Sequence, residues 1–267
     1  MEGQPLKKVA FDYHLKITFD EPVTRHRFTI RCFPVSDERQ EILEMNTSIY
    51  PNRFLEQTVD SFGNRCVYGM QEDSHQLFEV RVSGTALLGK EVYTKAPEDF
   101  KVGLFRAVSK YTHMGSELMQ LYRSIPVAES NLERSRNIMK AVHDSLEYCP
   151  GSTNINTLAE EALKERKGVC QDYAHIMLAL CRQARIPCRY VVGMLTGEGA
   201  SHAWVEIYDN ERWYGLDPTN LIEVTDSHVK ISHGRDYEDC ILNIGTFMGN
   251  TKQHQEVSVK VEEIQEK

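Results

Sequence analysis

ERKGVCQDYAHIMLALCRQARIPCRYVVGML, residues 165–195, decides how the chain is read. A charged loop containing Gly168 gives way at Cys170 to an apolar run with helical spacing. Pro187 stops that run, and β-branched residues resume in RYVVGML. The stretch predicts a helix that begins near Cys170 and ends before Pro187, followed by a strand. A thiol in the first turn of a helix faces the positive end of the macrodipole and unpaired backbone N–H groups, which favour the nucleophilic thiolate. The same N–H groups suit an oxyanion formed when sulfur attacks a carbonyl. Gly168 lets the loop enter the helix tightly. Taken singly, a cysteine so placed is more often a buried structural thiol.

Two later segments supply partners for that sulfur. SHAWVEIY contains His202 and WYGLDPTN contains Asp217. In the alternating strand HAWVEIY, Ala203, Val205 and Ile207 point to one face as core. His202, Trp204, Glu206 and Tyr208 share the other, a mixed polar and aromatic face where a general base can meet solvent and substrate. HAWVEIY and RWYGLDP are close enough in sequence to form a hairpin. A four-residue loop over 208–211 makes His202 and Asp217 direct cross-strand neighbours. A two-residue loop moves Asp217 one diagonal step along the same face, whereas an odd loop puts the two on opposite faces. A lone histidine here can be a satisfied boundary residue, and Asp before Pro can simply start a turn. Together, Cys170, His202 and Asp217 fill the roles of nucleophile, base and base-orienting acid.

Working outward, residues 8–32 alternate as strands (VAFDYHLKITF, HRFTIRCF), and EILEMNTSIYP, NRCVYGM and LFEVRVSGTALL continue the pattern. DSFGN (60–64) reads as a tight turn, with Gly63 and Asn64 able to take positive φ. Nothing before about residue 90 reads as helix, so residues 1–92 are expected to form an antiparallel β-sandwich. Residues 93–267 form the second expected unit. It starts at Pro97-Glu98-Asp99, which resembles a helix start, and continues through a mixed helical run broken near Gly115. A helix follows from Asn131, with Ile138, Met139, Val142 and Leu146 on one face. The next is marked by a capping box of Thr157 and Glu160, and the Cys170 helix is the fourth. Strands then resume, including a last one in QEVSVKVEEI (255–264). The fold class is α+β, a helical layer followed by antiparallel sheet.

Composition narrows the function. The chain has 267 residues with a net charge of −8, which gives no general attraction to nucleic acid or anionic membrane. KERK (164–167) is interrupted by glutamate, and IMLALC is far too short to span a bilayer. The N-terminus lacks the apolar core of a signal peptide, so a cytoplasmic location is expected. Seven cysteines, an odd count with no CxxC pair, fit reduced thiols rather than disulfide staples. The ten histidines show no HxxxH spacing, and no phosphate loop or dinucleotide fingerprint occurs. No metal or cofactor is expected.

At GVCQDYAHIMLALCRQARIPCRYVVGML, SHAWVEIY and GLDPTN the chain resembles the transglutaminase-like superfamily, a branch of the papain-like thiol enzymes. It resembles in particular the bacterial transglutaminase-like enzymes and cysteine proteases that join a β-rich N-terminal region to the catalytic core. VAFDYHLKITFDEPV and DSFGN are similar to that region, and HVKISHGRDYEDC and EVSVKVEEI to the C-terminal segment. After GRDY, where many relatives have a proline-rich step, this chain reads EDCILNIGTF. The resemblance implies a papain-like core with Cys170 as nucleophile, His202 as base and Asp217 as acid. Gln171, Asp172 and Trp204 fall in supporting positions, Asp172 as an orienter of a helix-start amide or as a solvated first-turn acid, Trp204 as a cleft wall or as packing.

The implied activity is acyl transfer at an amide through a thioester, on a peptide or protein substrate, with an amine as the optional second substrate. Water is the default acceptor unless a dedicated amine site excludes it, which favours hydrolysis. The competing expectation is a catalytically silent scaffold that retains the fold, although no triad member is replaced.

Overall fold

The computed structural model describes residues 6–96 and 100–264. The chain begins with five strands: β1 (Lys7–Ile30), β2 (Gln40–Tyr50), β3 (Phe54–Val59), β4 (Arg65–Gln71) and β5 (His75–Leu88). They are joined by turns such as 60–64, where Asp60 Oδ1 accepts from the N–H groups of Phe62 and Asn64 and Gly63 takes φ 94°. Asn64 does not take positive φ; its side chain instead donates to Asp60 and to the His233 carbonyl.

β1 organises this region. Its first half pairs with β5, its second half with β4, and its register breaks between Thr18 and Val23, close to Arg25 in the left-handed region (φ 48°). One 24-residue strand thus serves two curled layers. Its alternation explains why: Val9, Phe11, Tyr13, Leu15, Ile17 and Phe19 are buried on one face, and Phe28 and Ile30 continue the core beyond the bend.

After the short β6 (Tyr93–Lys95) the helical layer follows: α1 (Ser116–Ser124), α2 (Asn131–Ser145), β7 (Glu147–Tyr148), α3 (Ala159–Glu165), β8 (Lys167–Gly168) and α4 (Cys170–Gln183). The Pro97–Asp99 helix start lies outside the described residues; 100–106 and 110–112 are 3-10 turns. The capping box expected from Thr157 and Glu160 is not the one used. Glu161 reaches back to the Leu158 N–H, while Glu160 caps a different helix, accepting from Glu117 and Leu118 at the start of α1, whose own N-cap is a glycine without a side chain to offer. Ile138, Met139 and Val142 are buried as their spacing requires, and Leu146 is half-buried.

The remaining strands are β9 (Cys188–Leu195), β10 (Gly197–Gly199), β11 (His202–Asp209), β12 (Arg212–Asp217), β13 (Ile222–Glu223), β14 (His228–Gly234), β15 (Asn243–Met248) and β16 (Gln253–Glu263). The order β13-β12-β11-β9-β14, with β6 on β12, makes an antiparallel sheet that packs the helices on one face. The chain's end returns to the first sheet: β15 pairs with the second half of β1 and β16 with the first half. Met194, Val229 and Ile231 of the second sheet join the same apolar core as β1 and β5, so the two regions share packed surface.

Candidate active site

Cys170 is the first residue of α4, as expected, and Val169 before it is extended. The loop is held by Asp172, which is buried rather than solvated: its Oδ2 accepts from the Val169 N–H (2.8 Å) and the Thr153 hydroxyl (2.6 Å). Burial raises the pKa of Asp172, and those hydrogen bonds work against the rise. A Cβ on Gly168 would sit 2.7–2.8 Å from this side chain, so the glycine is needed for clearance next to the carboxylate. The parallel pair β7–β8 and the Cys149 N–H to Gly168 carbonyl bond (2.9 Å) anchor the same loop. The thiol therefore sits on a braced helix start, where the Asp172 and Tyr173 N–H groups bond the Val169 carbonyl and the N–H groups before them have no intrahelical acceptor.

His202 and Asp217 come together through the hairpin. The loop has two residues, Asn210 and Glu211, both with positive φ (47° and 60°), the signature of a type I′ turn. Val205 then faces Leu216, which sets Asp217 diagonal to His202 on one face. His202 Nε2 donates to Asp217 Oδ2 at 2.8 Å. The other nitrogen, Nδ1, is thereby left for Cys170, with whose side chain the ring interacts. Burial opposes charge on the ring, but the hydrogen bonds to Asp217 and Cys170 prevail and raise its pKa to about 10. Asp217 is wholly buried; burial would raise its pKa, yet the two histidines and Asn220 hold it well below the carboxylate range. The resting pair is imidazolium and carboxylate.

His228 and Asn220 were not singled out in the sequence, yet both touch Asp217. His228 Nε2 lies 3.3 Å from Oδ2, and its Nδ1 lies 2.9 Å from the Ser227 hydroxyl. Burial lowers the pKa of His228, so a neutral ring donates from Nε2 and accepts from Ser227. Asn220 Nδ2 donates to Oδ2 (2.7 Å), while the Thr219 and Asn220 N–H groups donate to Oδ1. Asp217 is thus both the turn starter and the imidazole's partner. The DPTN turn signals the Asn220 contact; nothing local signals His228, which reaches Asp217 only because β14 crosses from the far side of β9. Ligand atoms of His202, Asp217 and His228 lie within 4.8 Å of one another, but mutual hydrogen bonds already occupy them.

Trp204 does not wall a cleft. It is fully buried beneath His202, nearly parallel to that ring at 6.3 Å, and edge-on to His228. The expectation of a solvent-facing side for β11 also fails beyond His202: Glu206 is buried between Arg189 and Lys230 because residues 37–40 cover that face. Gln171 lies at the mouth, its amide 3.4 Å from the Ile155 carbonyl. Cys170, Gln171 and His202 line one cavity of about 210 Å³, whose opposite wall includes Tyr13 of β1 and Gln255 and Val257 of β16.

Two family models match the chain. "Transglutaminase-like superfamily" covers residues 120–218, which include Cys170, His202 and Asp217, and "Bacterial transglutaminase-like N-terminal region" covers residues 9–86. The chain belongs to the transglutaminase-like superfamily. The crystal structure of a "Putative Cysteine Protease from Cytophaga hutchinsonii" has the same fold, with TM-score 0.81 over 99% of this chain and 93% of that one at 23% identity. An uncharacterised protein of Mycobacterium leprae is 36% identical over 126 residues, covering 43% of this chain and 45% of its own length. Uncharacterised protein YebA of Bacillus subtilis is 28% identical over 200 residues, 60% of this chain and 27% of its own. The chain spans less than half the length of these curated relatives. No helix among the described residues is long and apolar enough to cross a membrane.

Proposed function

We propose that this superfamily member is a cysteine-dependent enzyme that transfers acyl groups from amides through a thioester. The observation that carries the reading is His202, hydrogen-bonded to Asp217 at 2.8 Å, lining one cavity with Cys170 at the start of α4. The Cys170 thiolate, partnered by the His202 imidazolium, attacks the amide carbonyl carbon, and the oxyanion meets the N–H groups at the start of α4. The tetrahedral intermediate collapses with cleavage of the C–N bond, and His202 delivers its proton to the leaving amine. Water then adds to the thioester, giving its proton to His202, and the acid leaves as the C–S bond breaks. An amine in place of water gives a new amide. Hydrolysis is the favoured outcome, because water is always present and an amine must be bound.

The experiment is a peptide library assayed with and without a primary amine, alongside iodoacetamide labelling at neutral pH. Turnover together with preferential labelling of Cys170 supports the enzyme. Labelling of Cys170 no faster than the other cysteines, with no turnover, supports a silent scaffold instead.

A further inference from the structure

The β-rich N-terminal region and the chain's last strands form one wall of the active-site cavity. On β16, Val257, Val259 and Val261 share a face and register with Leu15, Tyr13 and Phe11 of β1. Val259 and Val261 are buried on that face, Val257 is half-buried and Gln255 is exposed. The same face that packs the sandwich core thus runs out into the cavity beside Cys170 and His202. Asn243, first residue of β15 and paired with Ile30 of β1, lines the cavity from the adjoining segment.

Two features of this wall point to a ligand. Of the buried side-chain polar atoms without a hydrogen-bond partner among the described residues, Asn243 Oδ1 is the one on a residue lining this cavity. A buried acceptor left unpaired is costly, so a turn of the Asn243 side chain that brings Oδ1 to a donor in the cavity is favoured. Moreover, none of the lining residues is Lys, Arg, Asp or Glu, and the charge on His202 is matched by Asp217. A charged side chain entering the cavity would lose water and find no counter-ion.

We propose that Asn243 and Gln255 are specificity-determining residues that hydrogen-bond the substrate chain opposite α4, and that the cavity selects a segment whose reacting residue is uncharged. This rests on the cavity being the substrate site of the acyl-transfer reading. Asn243 Oδ1 accepts a peptide N–H; the Gln255 carboxamide offers both a donor and an acceptor.

The probes are fluorescein-labelled, N-acetylated hexapeptides with Ala, Gln, Lys or Glu at the central position. Anisotropy on Cys170→Ala protein reads binding without chemistry, and kcat/KM on the protein with Cys170 intact reads turnover. Ala and Gln peptides should bind at least tenfold tighter than Lys and Glu peptides. Asn243→Ala and Gln255→Ala should each weaken binding about tenfold, the size of one or two lost hydrogen bonds, and raise KM more than they lower kcat. Gln255→Glu, an exposed substitution that leaves the core intact, should improve the Lys peptide relative to the Glu peptide. Equal binding of all four peptides, or unchanged affinity in both alanine variants, overturns the assignment. Selective binding without turnover leaves the specificity wall standing and overturns the acyl-transfer reading alone.

Discussion

Two buried carboxylates share one face of the second sheet and do different work. Glu206, toward one end of β11, is clamped by Arg189 (2.6 Å) and Lys230 (2.7 Å). Burial would raise its pKa, but those cations hold it far below the usual range. Asp217, at the other end, is just as buried and just as firmly anionic, yet its partners are two imidazoles. Arg189 and Lys230 do not line the cavity, whereas the His202 imidazolium does and can pass a proton to a group bound there. The same charge in the same sheet is structural at one end and, in the proposed function, orients a proton donor at the other. The partner's chemistry makes the difference, together with the access that His202 alone has to the cavity.

The comparison is sharpest at the sulfur, where the largest effect is expected. Cys170→Ala should abolish turnover while leaving the melting temperature close to wild type, because the thiol is half-exposed. Retained turnover removes Cys170 as nucleophile. Asp217→Asn should lower kcat by about 10⁴-fold through the wrong imidazole tautomer, and a wild-type rate would mean another acid serves. Glu206→Gln should do the opposite: denaturant titration should show about 3–5 kcal/mol lost, since two buried cations lose their counter-ion, with kcat unchanged below the melting transition. A fall in kcat comparable to that of Asp217→Asn would break the contrast between the two ends.

His228→Gln tests the intermediate case and should cost about tenfold in kcat, the size of one hydrogen bond to a charged group. The pH dependence of stability reads the same imidazole. His202 has a folded pKa of about 10 against an ordinary 6.5, so its contribution to stability is complete below about 6.5 and is lost as pH rises through about 10. Chemical denaturation from pH 6 to 11 should show a loss in wild type that His202→Gln lacks. Asp217, with its pKa depressed, contributes above the ordinary carboxylate range and loses that contribution only in strong acid. An imidazole titrating near 6.5 by NMR would show that Asp217 does not govern it.

Much of this site was legible in the residues. The α4 start at Cys170 follows from the periodicity, and the hairpin's two-residue loop was one of the registers that keep His202 and Asp217 on one face. What escaped reading depends on distant chain. Glu160 caps α1 instead of its own helix, because the Gly115 N-cap has no side chain and α3 lies beside it. Glu206 shares the mixed face by alternation and is buried because residues 37–40 arrive from the first region, while Trp204 packs on Val191, Val224 and His228.

The sequence by itself determined the local elements, the parity of the hairpin and the identity of the three chemical groups, since spacing and residue type act over a few neighbours. Only the tertiary structure decided that His228 crosses β9 to reach Asp217 and that β16 returns to β1 to wall the cavity. Sheet pairing between segments more than two hundred residues apart leaves no local mark, because either strand would alternate in the same way against any partner.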